Sequence, residues 1–418
     1  MWRNRNVWIV LVGEFIAGLG LWMSIIANLE FMQQKVPSDF LKSLILFSGL
    51  LAGVLFAPLA GRIIDTNPKK TVLLLSGAGR LVAVGFMFIA LYFDSVWWMV
   101  LFAVTLQISA AFYFPALQSV IPLIVREKDL LALNGVHMNA GTMARILGTT
   151  LAGIMLTLMS LQGLYIVSFV AYAALLLTTW FLNVPENGKQ QARTNREAAS
   201  SVPPAETSSD AAGNGGFKSL MPVLRRQPVI VAVLLLSVVP TLFIGAFNLM
   251  VINISELQQS AQIKGLLYAA EGVSFILAGF LVKKVADRGK PLNRLFLFAA
   301  VVAVAQCLLY FADSPVWSLV SFALFGLAAG CFFPVASTIF QKQMPKPYHG
   351  RFFSFRAMLD RVMFQVILLS TGLLLDTIGL QRMVLVYGGL SFVLIALFAW
   401  RESRASGRGG DEKAGELV

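Results

Sequence analysis

The chain has 418 residues, 57% of them hydrophobic and 13% charged, against about a quarter charged in a water-soluble domain; a soluble globular fold is excluded. Its net charge of +12 falls between apolar runs instead of on one face, so the basic balance is no sign of a nucleic-acid partner. The runs approach the ~20 residues a helix needs to cross hydrocarbon, and they lack the alternating ten-residue pattern of an outer-membrane barrel.

The pattern predicts an all-α membrane protein with twelve transmembrane helices. In chain order they cover 7–29, 41–60, 71–93, 96–124, 134–158, 161–183, 228–254, 262–284, 293–313, 315–341, 351–377 and 380–400. The first run is too long for the apolar core of a signal peptide and is read as a retained span. Residues 1–186 form an N-terminal six-helix bundle and 228–400 a C-terminal one. Between them, 187–227 is a cytoplasmic linker whose Asn187–Gly216 stretch is polar, rich in Ser, Ala and Gly and poor in aromatics, the composition of a disordered segment. Residues 401–418 form a polar, glycine-rich cytoplasmic tail.

Orientation follows from the basic residues. With both termini cytoplasmic, 25 of the 33 Lys and Arg fall on inner segments, and only Lys35, Lys42, Lys264 and Arg382 on outer loops. That is the positive-inside asymmetry. The two halves also echo each other. Gly61-Arg-Ile-Ile-Asp65-Thr-Asn-Pro-Lys69-Lys70 has a counterpart in Lys283-Lys-Val-Ala-Asp287-Arg288-Gly-Lys290, with Asp287 placed 222 residues after Asp65. Phe114-Pro115-Ala116 in the fourth run matches Phe333-Pro334-Val335 in the tenth. Asn134 and Arg145 match Gly350 and Arg361, each pair 11 apart. Duplicated six-helix halves joined by a linker are a transporter architecture, with substrate near the midplane between them.

On these residues the chain resembles the major facilitator superfamily. Gly61–Lys70 is similar to the family's G-x-x-x-D-x-x-G-R-K signature, with Pro68 where Gly is usual. Residues 112–153, FYFPALQSVIPLIVREKDLLALNGVHMNAGTMARILGTTLAG, resemble the branch of macrolide, multidrug and siderophore exporters and, more distantly, lysophospholipid flippases; Thr149 stands at the proline of the N…R-x-x-G-P-x-x-x-G ending. The resemblance implies two pseudo-symmetric bundles, a monomer in a bacterial plasma membrane, and a partner for Asp65 from Arg351 or Arg356. It also implies that the fifth and eighth helices pack together, so that Arg145 and Glu271 can approach.

A charge inside the bilayer costs several kcal/mol and needs a partner, water or a changed protonation state. Glu271 lies 13 residues before Lys284, near mid-membrane at ~1.5 Å per residue, and is one proton-coupling candidate, competing with Arg145 or a cationic substrate. Glu14, near Gly18 and Gly20 in the first helix, is the other, with snorkelling to the inner interface as its plainer alternative. Glu30, at the outer end of that helix, reads as interfacial. Arg80 sits in the peripheral third helix and is expected to meet backbone or lipid phosphate. Arg356 and Asp360 are spaced to pair on one helix face, leaving Arg361 as the counterpart of Arg145. Gly61, Asp65, Lys69 and Lys70, with Asp287 and Arg288, form candidate conformational-switch loops in which each Asp can cap a neighbouring helix or meet an Arg. Gln107, Tyr113, Gln118, Asn139 and Asn248 are candidate polar groups of a cavity rich in aromatics.

His137 and His349 lack neighbouring ligands, and Cys307 and Cys331 sit in apolar runs, so neither metal nor cofactor is expected. No Walker A motif, Ser-His-Asp set or paired catalytic His is present, which argues against ATP drive and against an enzyme. The expected function is secondary active transport by alternating access: proton-coupled export of small amphipathic compounds across the lipid bilayer. Lysophospholipid flipping and siderophore export stay open as alternatives.

Overall fold

A computed structural model describes residues 2–184, 221–286, 291–345 and 348–415. Among these, regular structure is helical throughout. The chain divides into two compact units, Met1–Ser208 with Lys264–Ala269, and Ser209–Ile263 with Ala270–Val418.

The first unit holds α1 (Arg5–Lys35), α2 (Asp39–Thr66), α3 (Lys69–Phe93), α4 (Val96–Ile124), α5 (Glu127–Leu158) and α6 (Leu161–Trp180). Short polar residues start several of them. The Asn4 side chain accepts from Asn6 N before α1, Ser38 Oγ from Leu41 N in α2, and Ser160 Oγ from Gly163 N in α6, each satisfying an amide with no intrahelical partner. α1 packs on α5 and α6, α3 on α4 and α6, and α2 on α4. Side chains from α1, α3, α4, α5 and α6 therefore point into one interior.

The second unit holds α7 (Pro228–Leu257), whose regular pattern is interrupted at Ser237, then α8 (Gln262–Ala286), of which Lys264–Ala269 count with the first unit, α9 (Pro291–Leu308), α10 (Pro315–Gln343) and α11 (His349–Gly415). α11 breaks at Gly379, where φ is 77° and ψ 169°; glycine alone adopts this combination readily. Its apolar stretch, Phe355–Trp400, has 46 residues, enough for two crossings at ~20 residues each. Among the described residues, ten further helices are long and apolar enough to span, which with these two makes twelve crossings.

The exterior is apolar. Leu55, Leu75, Trp97 and Phe280 are at least 66% exposed, which in water would be an aggregation hazard and in a bilayer is the expected lipid contact. Exposed Trp97, Trp180 and Trp317 lie near helix ends, and exposed Trp400 closes the apolar stretch of α11, positions where indole rings favour the headgroup region.

Helix ends differ from the apolar runs in one instructive place. Gly61–Lys70 reads as a loop, but α2 continues to Thr66 and α3 starts at Lys69, leaving only Asn67 and Pro68 between them. Polar residues end a hydrophobic run without ending its hydrogen-bonded helix. The turn falls where Pro68 disfavours helical backbone at Asn67.

Candidate functional site

A polar cluster occupies the interior of the first unit. Glu14 comes from α1, Tyr113 from α4 two residues before Pro115, His137 from α5 and Arg80 from α3. The Tyr113 hydroxyl donates to Glu14 Oε1 at 2.5 Å, and His137 Nε2 lies 3.8 Å from Glu14 Oε2. Each carboxylate oxygen thus faces a different group. Arg80 Cζ sits 4.0 Å from the Tyr113 ring centroid, 5.3 Å from Phe114 and 5.7 Å from Tyr172. The α1–α6 contact alongside is closed by Ser168 Oγ, which donates to the Gly20 carbonyl at 2.9 Å.

Arg80 is buried, and its Nη2 has no hydrogen-bond partner. That nitrogen thus meets neither of the expected partners, backbone or lipid phosphate. Its charge rests against aromatic faces, because Tyr113, Phe114 and Tyr172 on the neighbouring helices converge on it. His137 is the functional candidate that sequence reasoning passes over. A single histidine in an apolar run shows no partner until α5 is laid against α1.

Glu30, near the end of α1, has a partner: Lys264 Nζ lies 2.7 Å from Glu30 Oε2, and the Lys264 side chain has no exposed surface. Lys42, like Lys264, lies within a helix; it is buried and 3.0 Å from Asp39. Arg145 stacks 5.8 Å from the Trp22 ring, and Trp22 lies 6.1 Å from Tyr268.

In the second unit Glu271 is buried on α8. Its backbone presses against Gly326 of α10 so closely that a Cβ there would collide with the Glu271 carbonyl. Asn248 is half-buried on α7. Arg356 Nε and Asp360 Oδ2 are 3.6 Å apart, with the Asp360 side chain 52% exposed, and Arg356 stacks 4.5 Å from Phe340. Arg361 is exposed.

The other candidates scatter. Gln107 is half-buried and packs along Gly49 and Gly53 of α2, while Gln118 and Asn139 are exposed. Gly61 is exposed, and Lys69 Nζ donates to the Ile64 carbonyl at 2.7 Å, tying α3 back to the end of α2. Lys70 is half-buried. Asp287 and Arg288 lie outside the described residues, as does the Asp65 side chain.

The family model of the Major Facilitator Superfamily matches residues 10–364 and 243–417. Macrolide efflux protein A of Streptococcus pyogenes is 22% identical over 413 residues, covering 93% of this chain and 94% of that protein. The uncharacterized MFS-type transporter YfiS of Bacillus subtilis is 21% identical, with 94% and 93% covered. Among solved structures, a D323A mutant of the nucleoside transporter NupG superposes with a TM-score of 0.72 at 14% identity, covering 94% of this chain and 99% of that one. A bacterial homologue of the iron transporter ferroportin gives 0.67 at 14% identity, covering 94% and 98%. With twelve apolar crossings, and a family match running through both units, the chain belongs to the Major Facilitator Superfamily and is a multi-pass membrane transporter.

Proposed function

We propose that the protein exports amphipathic organic compounds in exchange for protons, with Glu14 as the proton-carrying carboxylate of the first unit. The observation that carries this is the setting of Glu14 inside a membrane-spanning helix. It meets a phenol and an imidazole, and no lysine or arginine lies at ion-pair distance from it among the described residues. A carboxylate bound to a permanent cation stays ionised. One whose basic neighbour is an imidazole can take up and release a proton as its surroundings change. Glu271, buried on α8, is the second carboxylate able to serve in this way.

The substrate class draws support from the relative named for macrolide efflux. The uneven distribution of Lys and Arg supports cytoplasmic termini, and the bacterial relatives support a plasma-membrane location. A monomer suffices for alternating access.

The test is efflux of ethidium from cells overproducing the intact chain, with and without a protonophore. Efflux faster than in control cells, and abolished by the protonophore, is the expected result. Efflux no faster than in control cells sinks the export proposal and turns attention to lipid or siderophore substrates.

A further inference from the structure

We infer that His137 is the group through which the proton reaches and leaves Glu14, and that Tyr113, held by Arg80, determines which carboxylate oxygen receives it. This deepens the proposed export reaction and rests on Glu14 being its proton carrier.

The two oxygens of Glu14 are not equivalent. Oε1 accepts the Tyr113 hydroxyl at 2.5 Å, a short charge-assisted bond that occupies that oxygen. Oε2 faces His137 Nε2 at 3.8 Å. An ion pair reaches across that distance, but direct transfer needs about 2.6–3.2 Å. Rotation of either side chain, or one bridging water, closes the gap. In the transfer the Nε2–H bond of the imidazolium breaks and its electron pair stays on nitrogen, while an O–H bond forms at Oε2. Imidazolium and carboxylate become neutral imidazole and carboxylic acid, so the net charge of the pair is unchanged and the step adds no buried charge.

The imidazole is the less buried of the two groups. The Glu14 side chain is 13% exposed and that of His137 26%, and the residues after His137, Met138 and Asn139, are exposed. Imidazole is also the side chain that ordinarily changes charge between about pH 5 and 8. Among the described residues, the other titratable or charged groups facing the pair are Tyr113 from α4, Tyr172 from α6 and, behind both rings, Arg80 from α3. Arg80 does not touch Glu14. Its Cζ lies over the Tyr113 ring, 4.0 Å from the centroid, and restricts how the ring can turn, which makes Arg80 and Tyr113 positioning residues.

The test has two arms on the purified full-length chain. In proteoliposomes, with ethidium as the probe, His137→Gln is expected to slow dye-driven proton movement by about tenfold or more; an unchanged rate overturns the relay. In infrared pH-difference spectra without substrate, the carboxylic acid band that Glu14→Gln removes is expected to change position in Tyr113→Phe and pH dependence in His137→Gln. A band identical to wild type in both variants overturns the inference. If the wild type moves no ethidium, the export proposal fails, and the infrared arm still decides the relay.

Discussion

Lys264 Nζ lies 2.7 Å from Glu30 Oε2 with no exposed lysine surface, whereas Lys35 makes an equally short contact to Asp94, 2.6 Å, with both side chains at least 35% exposed. Length does not separate these pairs, but solvent does. Removing one member of a buried pair strands the other charge, at a cost of about 3–5 kcal/mol. An exposed pair contributes about 1 kcal/mol or less.

Lys264→Met is therefore expected to lower the melting temperature in detergent by several degrees, and Lys35→Met to leave it within a degree or two. Glu30→Met combined with Lys264→Met should recover most of the loss, since well-packed apolar side chains replace a buried pair at little cost. Thiol-reactive fluorescence reads the transition, because Cys331 is buried and Cys307 half-buried in the folded chain. Equal effects of the Lys264 and Lys35 substitutions would contradict the distinction.

Arg80 should not tolerate lysine. The planar guanidinium spreads its charge over the faces of Tyr113, Phe114 and Tyr172, and a compact ammonium cannot stack in this way. Arg80→Lys is expected to destabilise by about 1–2 kcal/mol and to slow ethidium efflux, because Tyr113 loses its support. Wild-type stability and efflux in Arg80→Lys would show that the stacking is incidental.

Gly379→Ala is expected to cost about 1–3 kcal/mol, measured by the same melting assay. Open space lies around the position, so the cost comes from the backbone and not from a clash. Gly379→Asn should be no better: asparagine tolerates the ordinary left-handed region, but not φ 77° with ψ 169°.

Much of the fold is legible from hydrophobic run lengths. The fourth span is predicted at 96–124 and observed as Val96–Ile124, and the break expected between 377 and 380 falls at Gly379. Run lengths fail at helix ends, as with α2, because a helix can extend past the hydrocarbon into polar sequence. Within the first unit, Glu14 and Tyr113 stand out in the sequence as polar groups in apolar runs. Their bond does not, since it depends on how α1 and α4 are rotated against each other. His137 and Arg80 are harder still. Each acquires meaning only from side chains on other helices, and nothing in the local spacing marks those neighbours.

The measurement that bears most directly on proton exchange at Glu14 is proton movement driven by an ethidium gradient in proteoliposomes, compared between wild type and Glu14→Gln. The expected result is dye-driven proton movement in the wild type and none in Glu14→Gln. Wild-type proton movement in Glu14→Gln would contradict the assignment and leave Glu271 as the carboxylate to examine.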